Sequence, residues 1–145
     1  MLKVSITGID GVQQTLARLV PDSEAAVRKL AERVHVLAYQ GADKHTKKGA
    51  LIRSLGSAPR EVPGGFVVGH DPQIAPHALF VHWGTRAHDI RPKDKKALRW
   101  SIGGRFIFAK FVRHPGYKGD PWLTNAADQG IREFDAIVQK MISGG

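Results

Sequence analysis

Cysteine is absent from the 145-residue chain. That excludes disulfides, thiolate metal sites and cysteine nucleophiles, and it fits a cytoplasmic origin. Long apolar runs are missing too. Lys3, Ser5 and Thr7 interrupt the residues after Met1, so no signal peptide is expected. No stretch approaches the roughly 20 apolar residues of a membrane span, so a soluble protein without a membrane partner is expected. Acidic residues are scarce: 13 Asp/Glu face 22 Lys/Arg and leave a net charge of +9. Such a balance favours polyanions or acidic protein surfaces as partners and says nothing about fold. The chain also lacks a glycine-rich phosphate loop, a G-x-S-x-G elbow and an H-E-x-x-H pair. It shows no internal repeat, low-complexity tract or interdomain linker.

What remains is ordinary globular material, 42% hydrophobic and 24% charged. Residues 1–145 read as one domain, able to bury about two thirds of the surface of its unfolded chain. Leu2, Val4 and Ile6 alternate with Lys3, Ser5 and Thr7, the pattern of a half-buried strand. "GIDGVQQTLARLV" predicts a short helix capped by Asp10, with Gln13 at capping-box spacing, Val12, Leu16 and Leu19 inward, and Pro21 ending it. A longer helix is predicted over Asp22 to His45, with Val27, Leu30, Ala31, Val34, Leu37, Ala38 and Ala42 on one stripe. Gly49 is its expected left-handed cap. "ALIRSL" reads equally as a helical turn or an extended piece.

From residue 56 the texture turns to glycine, proline and β-branched residues. Gly64 to Asp71 predicts a strand. "HALFVHWGT" allows a helical turn or a strand before Gly84. "ALRWSI" and "RFIFAKFV" predict a hairpin around Gly103 and Gly104. Residues 106–112 are apolar on both faces, which implies a strand buried twice or set in a subunit interface. The last element is a helix with Asp120 as N-cap and Pro121 at its first helical position. Leu123, Ala126, Ala127, Ile131, Phe134, Val138 and Met141 keep helical spacing. The order of elements is that of an α+β fold: a small, curved, mostly antiparallel sheet packed by the long N-terminal helix and the C-terminal helix. Leu30 and its stripe are expected to meet the sheet together with Leu123, Ile131 and Phe134.

Seven histidines invite a metal reading. His77, His82 and His88 stand five and six residues apart, which matches neither a helical i, i+4 pair nor zinc spacing, even with Asp71 or Asp89 beside them. Surface and loop histidines are the plainer reading, with no metal and no cofactor. His82, His88 and His114 with Arg91 can also be drawn as a small metal-independent RNase site, two histidines as acid and base and the arginine on phosphate. Nothing else in the sequence supports that drawing. The charge distribution is more telling. Arg86, Arg91, Lys93, Lys95, Lys96, Arg99, Arg105, Lys110, Arg113 and Lys118 face only Asp89 and Asp94. That surplus of eight accounts for nearly the whole net charge. The run reads as a solvated loop, as a surface for an acidic partner, or as a sequence-nonspecific DNA-binding module on segment 86–118. Trp83 and Trp100 could stack on bases, but their apolar neighbours make them core candidates.

A series of short boxes, in order, resembles the small tail-completion, or head–tail joining, proteins of long-tailed bacteriophages. "KKGALIRSL" is similar to their T-G-x-L-x-x-S segment at Gly49, Leu51 and Ser54, without the threonine. "HALFVHWGT" is similar to Y-A-x-x-V-E-F-G-T at Ala78, Val81, Gly84 and Thr85, with His77 and His82 in place of tyrosine and glutamate. "HDIRPKDKKALRW" carries His88, Ile90, Arg91, Pro92, Lys93, Lys96, Ala97, Leu98 and Trp100 of H-x-I-R-P-K-x-x-K-A-L-x-W. Val112, His114, Pro115, Gly116, Pro121, Trp122, Leu123 and Ala126 fit the last box.

The resemblance covers about residues 1–140 and implies a structural virion protein of the neck, not an enzyme. It implies a ring of copies, six being favoured, that docks on the head connector or stopper protein and on the tail terminator or tail tube protein. Genome DNA in the channel is a further candidate partner. Assembly would take place in the cytoplasm of the bacterial host. The residues expected to face a partner or DNA are Arg86, His88, Arg91, Lys93, Lys95, Lys96, Arg113 and His114. Phe106, Phe108 and Phe111 are the expected interface strand.

Overall fold

A computed structural model describes residues 1–7, 23–45 and 47–143. The helix expected around Asp10 to Leu19, and Asp22, lie outside the described residues. The long helix is present as α1 (Ser23–Asp43). Its stripe lands inward as the spacing requires: Leu30, Ala31, Val34, Leu37, Ala38 and Ala42 are buried and Val27 is half-buried, while Arg28, Lys29 and Glu32 face solvent. Gly49 does adopt a left-handed conformation, but it opens the next helix instead of closing α1. That next helix, α2 (Ala50–Ser54), settles "ALIRSL" as helical, with Leu51 and Ser54 buried.

The alternating N-terminal segment forms β1 (Lys3–Thr7), with Leu2, Val4 and Ile6 half-buried. It pairs antiparallel with β3 (Gly65–Gly69), which also pairs with β2 (Arg60–Val62), so the order is β1-β3-β2. As the central strand, β3 buries Phe66, Val67 and Val68 in succession. A strand pattern without alternation is the signature of cover on both faces. "HALFVHW" is helical as well: α3 (Ala78–Trp83) turns Ala78 and His82 inward.

The C-terminal helix is α4 (Trp122–Ile142). Pro121 is its N-cap residue, so the helix begins one place later than expected. Asp120 therefore does not cap; its carboxylate accepts a 2.7 Å hydrogen bond from His45 Nε2 and ties the end of α1 to the start of α4. The two long helices lie close together because glycine allows it. A Cβ on Gly130 would come within 2.5 Å of Val34 Cγ2, and one on Gly41 within 3.1 Å of the Trp122 Cβ. Arg33 adds a two-pronged ion pair to Glu133 across the same seam, at 2.5 and 3.1 Å. Hydrogen bonds from Arg33 and then Gln129 hold the Glu133 carboxyl down at about 2.

The core cluster joins Leu30, Val34, Leu37, Leu51, Leu55, Val68, Trp122, Leu123 and Ala126, with Phe134 packed at its edge. Ile131, expected there, is 63% exposed; its position on α4 lies off the side that meets α1. The class is α+β with antiparallel sheets, as expected. The β-structure is not one curved sheet, however. Two further two-stranded sheets stand apart from the first: β4 (His88–Ile90) with β7 (Val112–His114), and β5 (Leu98–Ile102) with β6 (Arg105–Ala109). No helix among the described residues is long and apolar enough to cross a membrane.

Candidate interaction arm

The two small sheets are stacked rungs of one excursion of the chain. Thr85 and Tyr117 exchange backbone hydrogen bonds of 2.8 and 2.9 Å at its root. Above them His88 faces His114, Asp89 faces Arg113 and Ile90 faces Val112. The ladder then breaks, because residues 91–97 on the outgoing side oppose only 110 and 111 on the return. It resumes with Leu98 opposite Ala109 and ends at Ile102 opposite Arg105, where Gly103 and Gly104 turn with positive φ as a two-residue hairpin demands. From Trp83 to Pro121 no residue is fully buried.

The root is fixed by backbone packed on backbone. Gly84 has φ 80° and ψ −174°, a region open in practice only to glycine. A Cβ there would run into the Tyr117 carbonyl oxygen, and one on Gly116 would meet the Thr85 carbonyl oxygen at 2.6 Å. The Asp120 N–H donates to the Val81 carbonyl at 2.8 Å, closing the return strand onto α3.

Directly opposed residues share a face, and neighbours along a strand alternate. At the tip one face therefore carries Leu98, Trp100, Ile102, Ile107 and Ala109 with a single cation, Arg105. The other carries Arg99, Ser101, Phe106 and Phe108, with the Arg99 guanidinium 4.5 Å above the Phe106 ring. Phe106 and Phe108 are 61% and 64% exposed. Of the two alternatives for this strand, burial on both sides within its own chain is overturned: β6 sits in a two-stranded ribbon with Phe106 and Phe108 open to solvent. Phe111, between β6 and β7, is also exposed, with Arg91 over its ring at 5.1 Å.

The expected charged positions all lie on this arm. Arg86 is exposed just before β4, and Arg91, Lys93, Lys95 and Lys96 are exposed in the 91–97 crossing. Arg113 is exposed on β7. "HDIRPK" is not loop throughout, since His88–Ile90 is strand; Pro92, without an N–H, stands just after the ladder breaks. Arg91 leans 3.6 Å from Asp89, an exposed pair worth little to stability. His88 and His114 come together as stacked rings 5.0 Å apart. The His88 Nδ1–H donates to the Arg86 carbonyl, while His114 Nδ1 accepts the Gly116 N–H.

His82 does not join them. It is 1% exposed within the body, and its Nε2 pairs with the Thr124 hydroxyl at 3.0 Å. Burial pushes its pKa down, against a smaller upward pull from Asp120. The drawing of an acid–base–phosphate site from His82, His88, His114 and Arg91 therefore loses its convergence: one histidine is in the core, and Arg91 sits over Phe111, off the His88–His114 face. Trp83 is corrected too. It is 66% exposed because the turn that buries His82 swings it outward beside Leu79 and Phe80. Trp100 is only half-buried on the ribbon, and the buried tryptophan is Trp122.

A groove of about 550 Å³ beside β3 contains Arg53, His70 and Asp71. Arg53 bonds the Lys48 carbonyl, His70 the Leu2 carbonyl and Asp71 the Gln73 N–H, so these groups hold loops. Among the described residues no group of three or more metal-ligating side chains is placed to hold an ion. Comparison with known proteins found no matching family model, no similar curated protein and no similar solved structure.

Proposed function

We propose that this chain is a structural subunit of a phage virion neck. In this reading it completes the tail and joins it to the head connector, as a ring of copies, six being favoured. Its role is assembly and not catalysis. The observation that carries the reading is the arm: a 33-residue excursion from Thr85 to Tyr117 that exposes three phenylalanines and most of the chain's excess positive charge. An isolated two-stranded ribbon is marginal in water, so a surface of this kind calls for a partner. The boxes that resemble head–tail joining proteins map onto it. Gly84 and Thr85 form the root, His88 to Trp100 the outgoing side, His114 to Gly116 the return, and Trp122 starts the supporting helix. The neighbours proposed for the arm are the connector or stopper protein on one side and the tail terminator or tail tube on the other.

The test is genetic and structural together. In the phage or prophage that encodes the chain, loss of the protein should leave filled heads and separate, incomplete tails that do not join, and native mass spectrometry of the neck should give one discrete ring. Normal tailed particles without the protein would end the proposal. The cationic, aromatic face of the tip favours one second reading, a nonspecific DNA-binding module. Random duplex bound with a steep salt dependence, together with normal head–tail joining in the protein's absence, would move the assignment there.

A further inference from the structure

We propose that the tip of the arm docks on α4 of a second copy of this chain. The inference rests on the reading of the arm as an assembly surface, and it names the surface that receives it. On α4, Asp128, Ile131, Asp135, Val138 and Ile142 follow at steps of three and four and form one stripe. Ile131 and Ile142 are 63% and 45% exposed, and Asp128 and Asp135 are exposed beside them. The stripe is apolar and acidic. It stands in a chain where basic residues otherwise predominate.

The apolar face of the tip is its complement. Ile102 and Ile107 are 61% and 37% exposed and flank Arg105, a row of aliphatics with one cation among them. Laid across α4 of a neighbour, Ile102 and Ile107 cover Ile131, and Arg105 reaches Asp128 or Asp135. Ile102 on the one surface and Ile131 on the other are each more than half exposed in their own chain. Nucleic acid does not fit the pair, because Ile102 and Ile107 offer phosphate nothing and the two aspartates repel it. The patches are different from one another, so the contact is head-to-tail and repeats from copy to copy. Such a contact closes into a ring if the rotation allows.

The absence of cysteine gives a direct test, using the full chain at its highest soluble concentration. Ile107→Cys and Ile131→Cys proteins are mixed and oxidised. A mixed disulfide should form at least tenfold faster than either homodimer, and the double variant should give a ladder of oligomers. Asp128→Lys with Asp135→Lys on the Ile131→Cys chain should slow the mixed link about tenfold, and Arg105→Glu on the other chain should restore it. A mixed link no faster than the homodimers overturns the docking. Fastest linking of Ile107→Cys with itself also overturns it, in favour of an arm-to-arm contact, and leaves the assembly reading standing. Protection of the thiol introduced by Ile107→Cys by duplex DNA, and not by a second copy, overturns it in favour of a nucleic-acid surface. Head–tail joining scored separately with these variants shows whether the wider neck reading falls as well.

Discussion

Residues 30–68 and 122–130 place Leu30, Val34, Leu51, Val68, Trp122 and Leu123 in one core, each nearly sealed from water. Residues 83–121 are no less apolar in places, with two tryptophans, three phenylalanines and three isoleucines, and bury none of them completely. The difference lies in cover. In the body the buried stripes meet one another: α1 lies on α4 and on β3, and Gly130 and Gly41 let the two helix backbones come close. In the arm, the pairing among the described residues is strand to strand, β4 with β7 and β5 with β6. Apolar surface left in water forgoes about 25 cal/mol for each Å² it could bury, so the arm leaves unrealised a stabilisation of the kind that the body gains in folding.

The two regions should therefore answer mutation differently, and the largest gap is expected in the core. Leu30→Ala in α1 should lower unfolding stability by about 2–5 kcal/mol, the usual range for a buried leucine truncation. Chemical denaturation measures it; a midpoint equal to that of the wild type would take Leu30 out of the core. Gly84→Ala comes next. It forces a side chain into a backbone region that costs about 1–3 kcal/mol and into the Tyr117 carbonyl besides. The arm should detach at its root and lose protease resistance between residues 83 and 121, while the body still melts cooperatively. Unchanged proteolysis of that segment would mean that the root is not fixed as described.

Acid should weaken the body through His82. His82 is buried with its pKa below the usual 6.5, so the unfolded chain binds a proton more readily than the folded one. Its neutral form supports the fold fully above about pH 6.5, and that support falls away as pH drops toward the folded value. His82→Gln should flatten the decline in melting temperature between pH 7 and 5; an equally steep decline would assign the effect to other groups. Glu133 acts lower. Its contribution is present above its ordinary 4.5 and disappears as pH falls through about 2. Phe106→Ser with Phe108→Ser should have the smallest effect on the monomer, within about 0.5 kcal/mol, as for exposed positions generally.

The same contrast explains what could be read from sequence. Helices α1 and α4 were legible because their apolar residues recur at three and four, and the Gly103–Gly104 turn because a two-residue hairpin needs positive φ twice. The arm as a whole was hidden. Its pairing is interrupted where residues 91–97 oppose only two, and nothing local records that Thr85 meets Tyr117. Two apolar faces on residues 106–112 suggested burial, since pattern shows which surface is apolar and never what lies over it. Trp83 misled for a related reason: Leu79 and Phe80 beside it looked like core, whereas α3 points Ala78 and His82 inward, four residues apart. That spacing was the available signal for His82. The candidate interaction residues are legible as a charge cluster, but that His88 faces His114 follows only from the register.

The central claim is that the arm folds with the chain and acts outside it. The most direct measurement is head–tail joining by a chain with Ile102, Phe106, Ile107 and Phe108 all changed to Ser. Thermal melting of this variant should stay close to that of the wild type, because all four side chains are exposed. On the proposed neck reading, joined, tailed particles should fall at least a hundredfold in a host where the variant is the only copy. Joining at the wild-type level by a well-folded variant would contradict the account.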